Sequence, residues 1–321
     1  MSCWQNIPIL VKRYLVGYLD YEARCNLKLC SKSDQFLVTS TRHVAQIISI
    51  AEQSNSSCNE LSTIILRYEF RVLQLEEIDG VTTMTSGEYQ KINNKNRYDV
   101  ARSWIEKISE NGVANAKKVQ LLNLSMPPSP QWILNCEESL KIRMVGRQNL
   151  KSWLQITVPI LKILEIEEWE IAEEILETRQ IRQVGEVLRL SRNVKISDEQ
   201  LVKLAAPSLV IISGNTITEQ GAKKVLKKFV EQNRSGNPFE LKFRKSEPNF
   251  NHLDLFDKSW TIQKLQQIDE TEGEYVYQIT GGFTNVHRVQ QLPKIIIRDF
   301  VTYMTLKVLH PAGIYFQNSI W

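Results

Sequence analysis

At 321 residues the chain is long for a single hydrophobic core and points to two units or a stacked array. Its 42% hydrophobic and 24% charged residues exclude a disordered or fibrous chain, and a formal net charge of +4 without a basic stripe gives no argument for nucleic acid. Met1–Leu10 lacks the pattern of a signal peptide, and no apolar run approaches the roughly eighteen residues of a membrane span, so a cytoplasmic and/or nuclear protein with no membrane partner is expected.

In chain order, residues 4–48 are dense in apolar positions and read as short helices. Pro8 suits a first helical position, and Asp20 is placed to cap a second helix over 21–30. The polar stretch Ala51–Glu60 reads as a linker or loop. Leu61–Leu75 is β-branched and aromatic enough for strand, with room for two strands and a bend. Residues 83–96 read as a polar surface loop, and 97–109 as a helix with Val100, Trp104, Ile105 and Ile108 on one face.

A repeat follows. Short apolar strands recur as VQLLNL (119–124), LKIRM (140–144), LKILEI (161–166), VLRLS (187–191) and LVIIS (209–213). Leu122, Ile142, Leu164, Leu188 and Ile212 take equivalent places at separations of 20, 22, 24 and 24 residues, which predicts a parallel ladder in sequence order. Intervening segments such as 197–205 have helical spacing with an N-cap at Ser197. A strand and a helix in each short period is the plan of a leucine-rich horseshoe, in which each unit buries its open face on the next. Ladder asparagines are missing, so the alternative is an ordinary α/β or α+β domain with evenly spaced strands. Beyond it come a helix over Glu219–Gln232, a strand over 239–243, a hairpin of Glu274–Thr280 and Phe283–Val289 about Gly281-Gly282, and β-branched runs in 295–309 that fit helix or strand.

Ile9, Leu10, Val11, Tyr14, Leu15, Val16, Tyr18 and Leu19 cover most of the circumference of the first helix. A helix apolar nearly all round needs burial on more than one side, and so small a segment cannot supply that alone. Ile7-Pro8, Val11, Leu15-Val16, Leu19, Leu27, Leu29 and Ser31-Lys32 fall in register with the F-box pattern. The segment resembles the large, divergent F-box families of nematodes, whose remaining chain is a family-specific associated domain. Ile7 replaces the usual leucine, Arg24 stands where an apolar residue is common, and Asp34 replaces the frequent aromatic.

The resemblance implies a Skp-type adaptor bound through Ile7, Pro8, Val11, Leu15, Val16, Leu19, Leu27, Leu29 and Lys32, and through it a cullin. The C-terminal domain would then hold an unknown protein substrate. Positions beside the core leucines of the array, chiefly Lys162, Glu165 and Arg189 with Ile163 and Ser191, are the candidate substrate contacts.

No catalytic motif, metal-ligand spacing or cofactor-binding loop is visible. His43, His252, His287 and His310 lack a partner at general-base or ligand spacing. Cys3, Cys25, Cys30, Cys58 and Cys136 are odd in number and scattered, as reduced thiols would be. The acidic run Glu165–Glu174 reads as a solvated edge, and Lys223, Lys224, Lys227 and Lys228 as the polar side of a helix. The expected fold class is α/β (α+β): an F-box-like helical module over 1–48, then an associated domain over 61–321 with repeats at about 119–243 and a mixed C-terminal β region. The expected function is a non-enzymatic substrate-recognition adaptor of a Skp–cullin–F-box ubiquitin ligase; the alternative is a leucine-rich-like scaffold with no ubiquitin role.

Overall fold

The computed structural model describes residues 3–54, 62–109, 113–158, 160–211, 217–232, 239–245, 251–269, 273–281, 294–299 and 303–309. Ile212, Pro159, Cys58, His287, His310, Trp321 and the second arm of the Gly281-Gly282 hairpin lie outside these residues. The chain is mixed α/β and forms two compact units, one of residues 1–141 with 155–158, the other of 142–154 with 159–321.

The first unit opens with a short 3-10 turn at Cys3–Asn6, then α1 (Ile9–Tyr18), α2 (Tyr21–Cys30) and α3 (Lys32–Ser40). Pro8 stands at the N-cap of α1, one residue before the expected place, a difference within the ordinary uncertainty of helix ends. Asp20 caps α2 through the Ala23 amide at 2.8 Å, as its position in the sequence implies. The helices stop at Ser40, and Ala45–Ile48, assigned above to the helical module, instead begin a strand.

That strand is β1 (Ala45–Ser54), followed by β2 (Ser62–Tyr68), β3 (Arg71–Ile78), β4 (Val81–Ser86), β5 (Tyr89–Asn93), α4 (Arg97–Ile108), β6 (Val113–Leu122) and β7 (Ile133–Arg143). The order within this unit is β7-β6-β1-β2-β3-β4-β5, with β1 and β6 parallel and β1 to β5 an antiparallel meander. Two expectations are corrected. Residues 51–54 are strand rather than linker, because Ala51 and Glu52 pair with both β2 and the end of β6 or its following loop. Residues 83–96 include an exposed hairpin rather than a loop. Both two-residue turns of the meander carry the signature of tight hairpins: Asp79 and Gly80, between β3 and β4, have positive φ (52° and 77°), and Gly87, between β4 and β5, has φ 58°.

Ile48, Ile50, Ile64, Leu66, Leu75, Val119 and Leu121 form the buried face of this sheet, with Val100, Ala101 and Ile105 of α4 also buried. At the end of β6 Leu121 is fully buried, and Leu122, named above as the ladder residue, is its half-buried neighbour, since successive side chains point to opposite faces. Arg97, at the start of α4, joins buried Glu52 at 3.3 Å, and Ser62, Tyr98 and Ser125 hydroxyls complete the same cluster. Burial pushes the Glu52 carboxyl up, but the hydrogen bonds from Ser125, Ser62 and Tyr98 outweigh it and hold the group below its ordinary value.

The second unit contains α5 (Arg147–Gln155, save its last residue), β8 (Ile163–Ile171), α6 (Glu173–Leu176), α7 (Arg179–Arg182), β9 (Val187–Val194), α8 (Asp198–Lys203), β10 (Ser208–Ile211), α9 (Glu219–Gln232) and β11 (Phe239–Arg244). It ends with β12 (Thr261–Asp269), β13 (Glu274–Gly281), β14 (Lys294–Asp299) and β15 (Tyr303–Leu309). Strands β8, β9, β10 and β11 lie parallel in sequence order, and β15, β14, β13 and β12 continue antiparallel from β11. Of the β-branched runs in 295–309, those at 295–299 and 303–309 are therefore strand.

Leu164, Leu188, Leu209 and Leu241 are register partners and fully buried, and Ile166, Leu190, Ile211 and Phe243 form a second rung two residues on. The expected partnership of Leu164 with Leu188 holds, but the next rung is Leu209 rather than Ile212. Equal spacing fails because β10 begins at once after Pro207, leaving a shorter connection than the period assumed. Ser197 caps α8 in a full capping box with Gln200. No helix among the described residues is long and apolar enough to cross a membrane.

Candidate partner-binding surface

The helical region is held together by few apolar contacts and several polar ones. Val16, Leu37 and Val38 are its fully buried residues, with Trp4, Leu19 and Leu27 packed against them. Arg24 is buried, and its guanidinium donates to the Val16 and Val38 carbonyls at 3.0 Å each and to that of Thr41. These carbonyls lie at the C-terminal turns of α1 and α3, where those of Val16 and Val38 otherwise accept only the capping amides of Leu19 and Thr41, at 3.2 and 3.3 Å. A charged side chain thus serves where an aliphatic one was expected. Asp34 likewise replaces an aromatic by accepting from Trp4 Nε1 at 2.8 Å and from Ser31 Oγ at 2.7 Å. The Trp4 bond first, then that from Ser31, holds the Asp34 carboxyl below its ordinary range.

This inward packing leaves an apolar exterior. Leu10 (73% exposed), Tyr14, Tyr18 and Leu29 (86%) face solvent, together with Ile9, Val11, Leu15 and Phe36. Tyr14 and Tyr18 meet edge to face at 4.9 Å with their hydroxyls 2.9 Å apart, a rigid aromatic pair one turn apart on α1.

Of the nine residues named for adaptor contact, Pro8, Val11, Leu15, Leu29 and Lys32 are exposed and Ile7 is half-buried. Val16 is completely buried, and Leu19 and Leu27 are largely used by the module's own core. The F-box register alone places Val16 among the adaptor contacts; the fold turns it inward instead. Leu10, Tyr14 and Tyr18 are exposed residues outside that set.

In the second unit, Glu165 and Arg189 are register partners on β8 and β9 and form an ion pair at 2.8 Å; Lys162 is exposed just before β8. Glu167 meets Arg143 at 3.5 Å in the same way. The solvated reading of the acidic run fails at Glu168, which is buried and accepts from the Val145 amide at 2.5 Å. Beyond it Trp169 is 66% exposed, where the ladder between β8 and β9 is irregular, while Trp153 and Trp260 are buried. The lysines of α9 are engaged: Lys227 with Asp257 at 2.8 Å, Lys223 with the Asp254 carbonyl, and Lys228 with the Val202 and Leu204 carbonyls.

The histidines are less isolated than their sequence positions imply. His43 Nε2 lies 3.2 Å from Glu69 Oε1, and His252 Nδ1 lies 3.4 Å from Asp299, with its Nε2 3.0 Å from the Tyr277 hydroxyl. Separations of 26 and 47 residues hide both pairs from any spacing argument. Burial lowers the His252 pKa and raises that of Tyr277, so a neutral ring accepting from a protonated phenol is the arrangement these groups favour. Lys245 shares Asp299 at 2.5 Å, and the His252 ring stacks on Tyr275 at 4.3 Å. Cys25, Cys30 and Cys136 are free thiols; burial pushes the Cys136 thiol up to about 11. Among the described residues no cluster of three or more potential ligands could hold a metal ion.

Compared with protein-family models, curated proteins and solved structures, the chain matches none.

Proposed function

We propose that the chain is a non-enzymatic substrate-recognition adaptor of a Skp–cullin–F-box ubiquitin ligase, with α1 to α3 as the segment that docks on the Skp-type adaptor. The observation carrying this reading is the apolar exterior of α1, centred on Leu10, Tyr14 and Leu15, combined with the F-box register from Ile7 to Lys32. Burying a large aliphatic side chain contributes roughly 1.5–3 kcal/mol, so several left in water are a strong drive to associate. The contact set is Pro8, Val11, Leu15, Leu29 and Lys32 with Leu10 and Tyr14; Val16 supports it from beneath.

The β8–β11 ladder supports the finer reading of a degenerate leucine-rich-like array. Its outward residues Lys162, Glu165 and Arg189 are the substrate contacts, and the exposed Trp169 is the anchor beside them, since tryptophan is enriched at interface hot spots. The chain works by holding two proteins near each other in the cytoplasm or nucleus. The test is affinity capture of the Skp-type adaptor by wild type and Leu15→Asp. Leu15 is 41% exposed, so the variant is expected to keep its circular dichroism and lose capture through a carboxylate forced into an apolar interface. Equal capture by both proteins would refute the assignment.

A further inference from the structure

We propose that residues 251–257 form a strap that holds α9 against β13 and β14 near neutral pH and is loosened by acid, with His252 as its latch. The strap is built on a 3-10 turn, His252–Leu255, opened by Asn251, whose side chain accepts from the Leu253 amide at 3.1 Å. Its α9 side is tied by charge: Lys227 meets Asp257 at 2.8 Å, and Lys223 donates to the Asp254 carbonyl. On its sheet side Leu255 and Phe256 are buried, with Phe256 edge to face against Tyr277 at 4.9 Å.

The polar tie to the sheet is His252. Its ring stacks on Tyr275 of β13 at 4.3 Å, Nε2 lies 3.0 Å from the Tyr277 hydroxyl, and Nδ1 lies 3.4 Å from Asp299 of β14. These surroundings fit a neutral imidazole, which supplies one donor toward the carboxylate and one acceptor toward the phenol. Asp299 cannot follow a departing strap, because its amide donates to the Gly273 carbonyl and it pairs with Met304 in the β14–β15 ladder.

A second proton on the ring breaks this fit. Nε2–H then confronts the Tyr277 O–H, and Tyr277 is only 4% exposed, so its hydroxyl has little water to turn to. The Asp299 charge that could steady the cation is already shared with Lys245 at 2.5 Å. The other charged and titratable groups about the ring are Lys264 of β12, Tyr275 and Tyr277 of β13, and Asp254 of the strap itself. Arg298, on the opposite face of β14, is paired with Glu274 at 2.6 Å. Burial first lowers the His252 pKa, Asp299 raises it, and Lys264 and Lys245 lower it further. The folded value lies below the unfolded one, so the stabilisation is complete above about pH 6.5 and is lost as pH falls through the folded value. Loosening frees the aromatic face of β13 at Tyr275 and Tyr277. The device lies wholly in the second unit and does not rest on adaptor docking.

The experiment is hydrogen exchange of the full chain at about pH 7.5 and about pH 5.5, corrected for intrinsic rates and read at the amides of residues 253–256. Wild type is expected to lose protection there by roughly threefold or more at the lower pH, with β8 and β9 unchanged. His252→Gln keeps a donor and an acceptor but cannot titrate, so its strap protection should be equal at the two values. NMR titration of the His252 ring in the wild-type chain decides independently of how that variant folds, and a pKa below the ordinary histidine value is expected. Titration at or above that value, strap protection indifferent to pH, or the same pH response in His252→Gln would overturn the proposal.

Discussion

Leucine is used in opposite ways at the two ends of this chain. In β8 to β11, Leu164, Leu188, Leu209 and Leu241 stack as register partners with no exposure at all. In α1 and α2, Leu10, Leu15 and Leu29 stand 41–86% exposed, above a core of three fully buried residues. The parallel strands bury these apolar side chains within the unit. The helical region cannot, and it is stabilised instead by the buried Arg24 guanidinium and the Trp4–Asp34 bond. Polar clamps hold helices in place without consuming apolar surface, which leaves that surface exposed.

The largest expected effect is in the parallel strands. Leu164→Ala should cost about 2–5 kcal/mol in urea unfolding, whereas Leu15→Ala should cost under about 1 kcal/mol. Comparable losses at the two positions would erase the contrast. Next, Arg24→Met should destabilise the helical region by about 1.5–3 kcal/mol, since charge-assisted bonds to three helix-end carbonyls are lost. Hydrogen exchange should show the loss in α1 and α3 and leave β8–β11 protected; uniform loss would mean the region has no polar clamp of its own.

The smallest effect is acid sensitivity. The folded-state pKa of Asp34 is depressed, so its contribution is present above the unfolded value of about 3.9 and is lost as pH falls through the folded value. Asp34→Asn should therefore flatten the acid dependence of α3 exchange between about pH 5 and pH 2. An unchanged slope would place the acid-sensitive group elsewhere.

Much of this contrast is legible in the sequence, and the exceptions are instructive. Asp20, Ser197 and the span Glu219–Gln232 could be placed because capping and amphipathic spacing are local. The hairpins of β3–β4 and β4–β5 were also locally encoded, in Asp79-Gly80 and at Gly87, but polar composition masked the second. Other features were not local. Leu209 rather than Ile212 meets Leu188 because a parallel register depends on connection length, which periodicity does not fix. Arg24 looks like a defect in the F-box pattern until the carbonyls of Val16, Val38 and Thr41 are seen around it. Val16 was assigned to the partner and belongs to the core, since a helix apolar on nearly every side does not announce which side faces in.

The most direct test of the account is hydrogen exchange on the purified chain with and without a saturating Skp-type adaptor. The account predicts added protection across residues 7–32, strongest in α1, with no change in β8–β11. No protection anywhere, or protection confined to β8–β11, would contradict it.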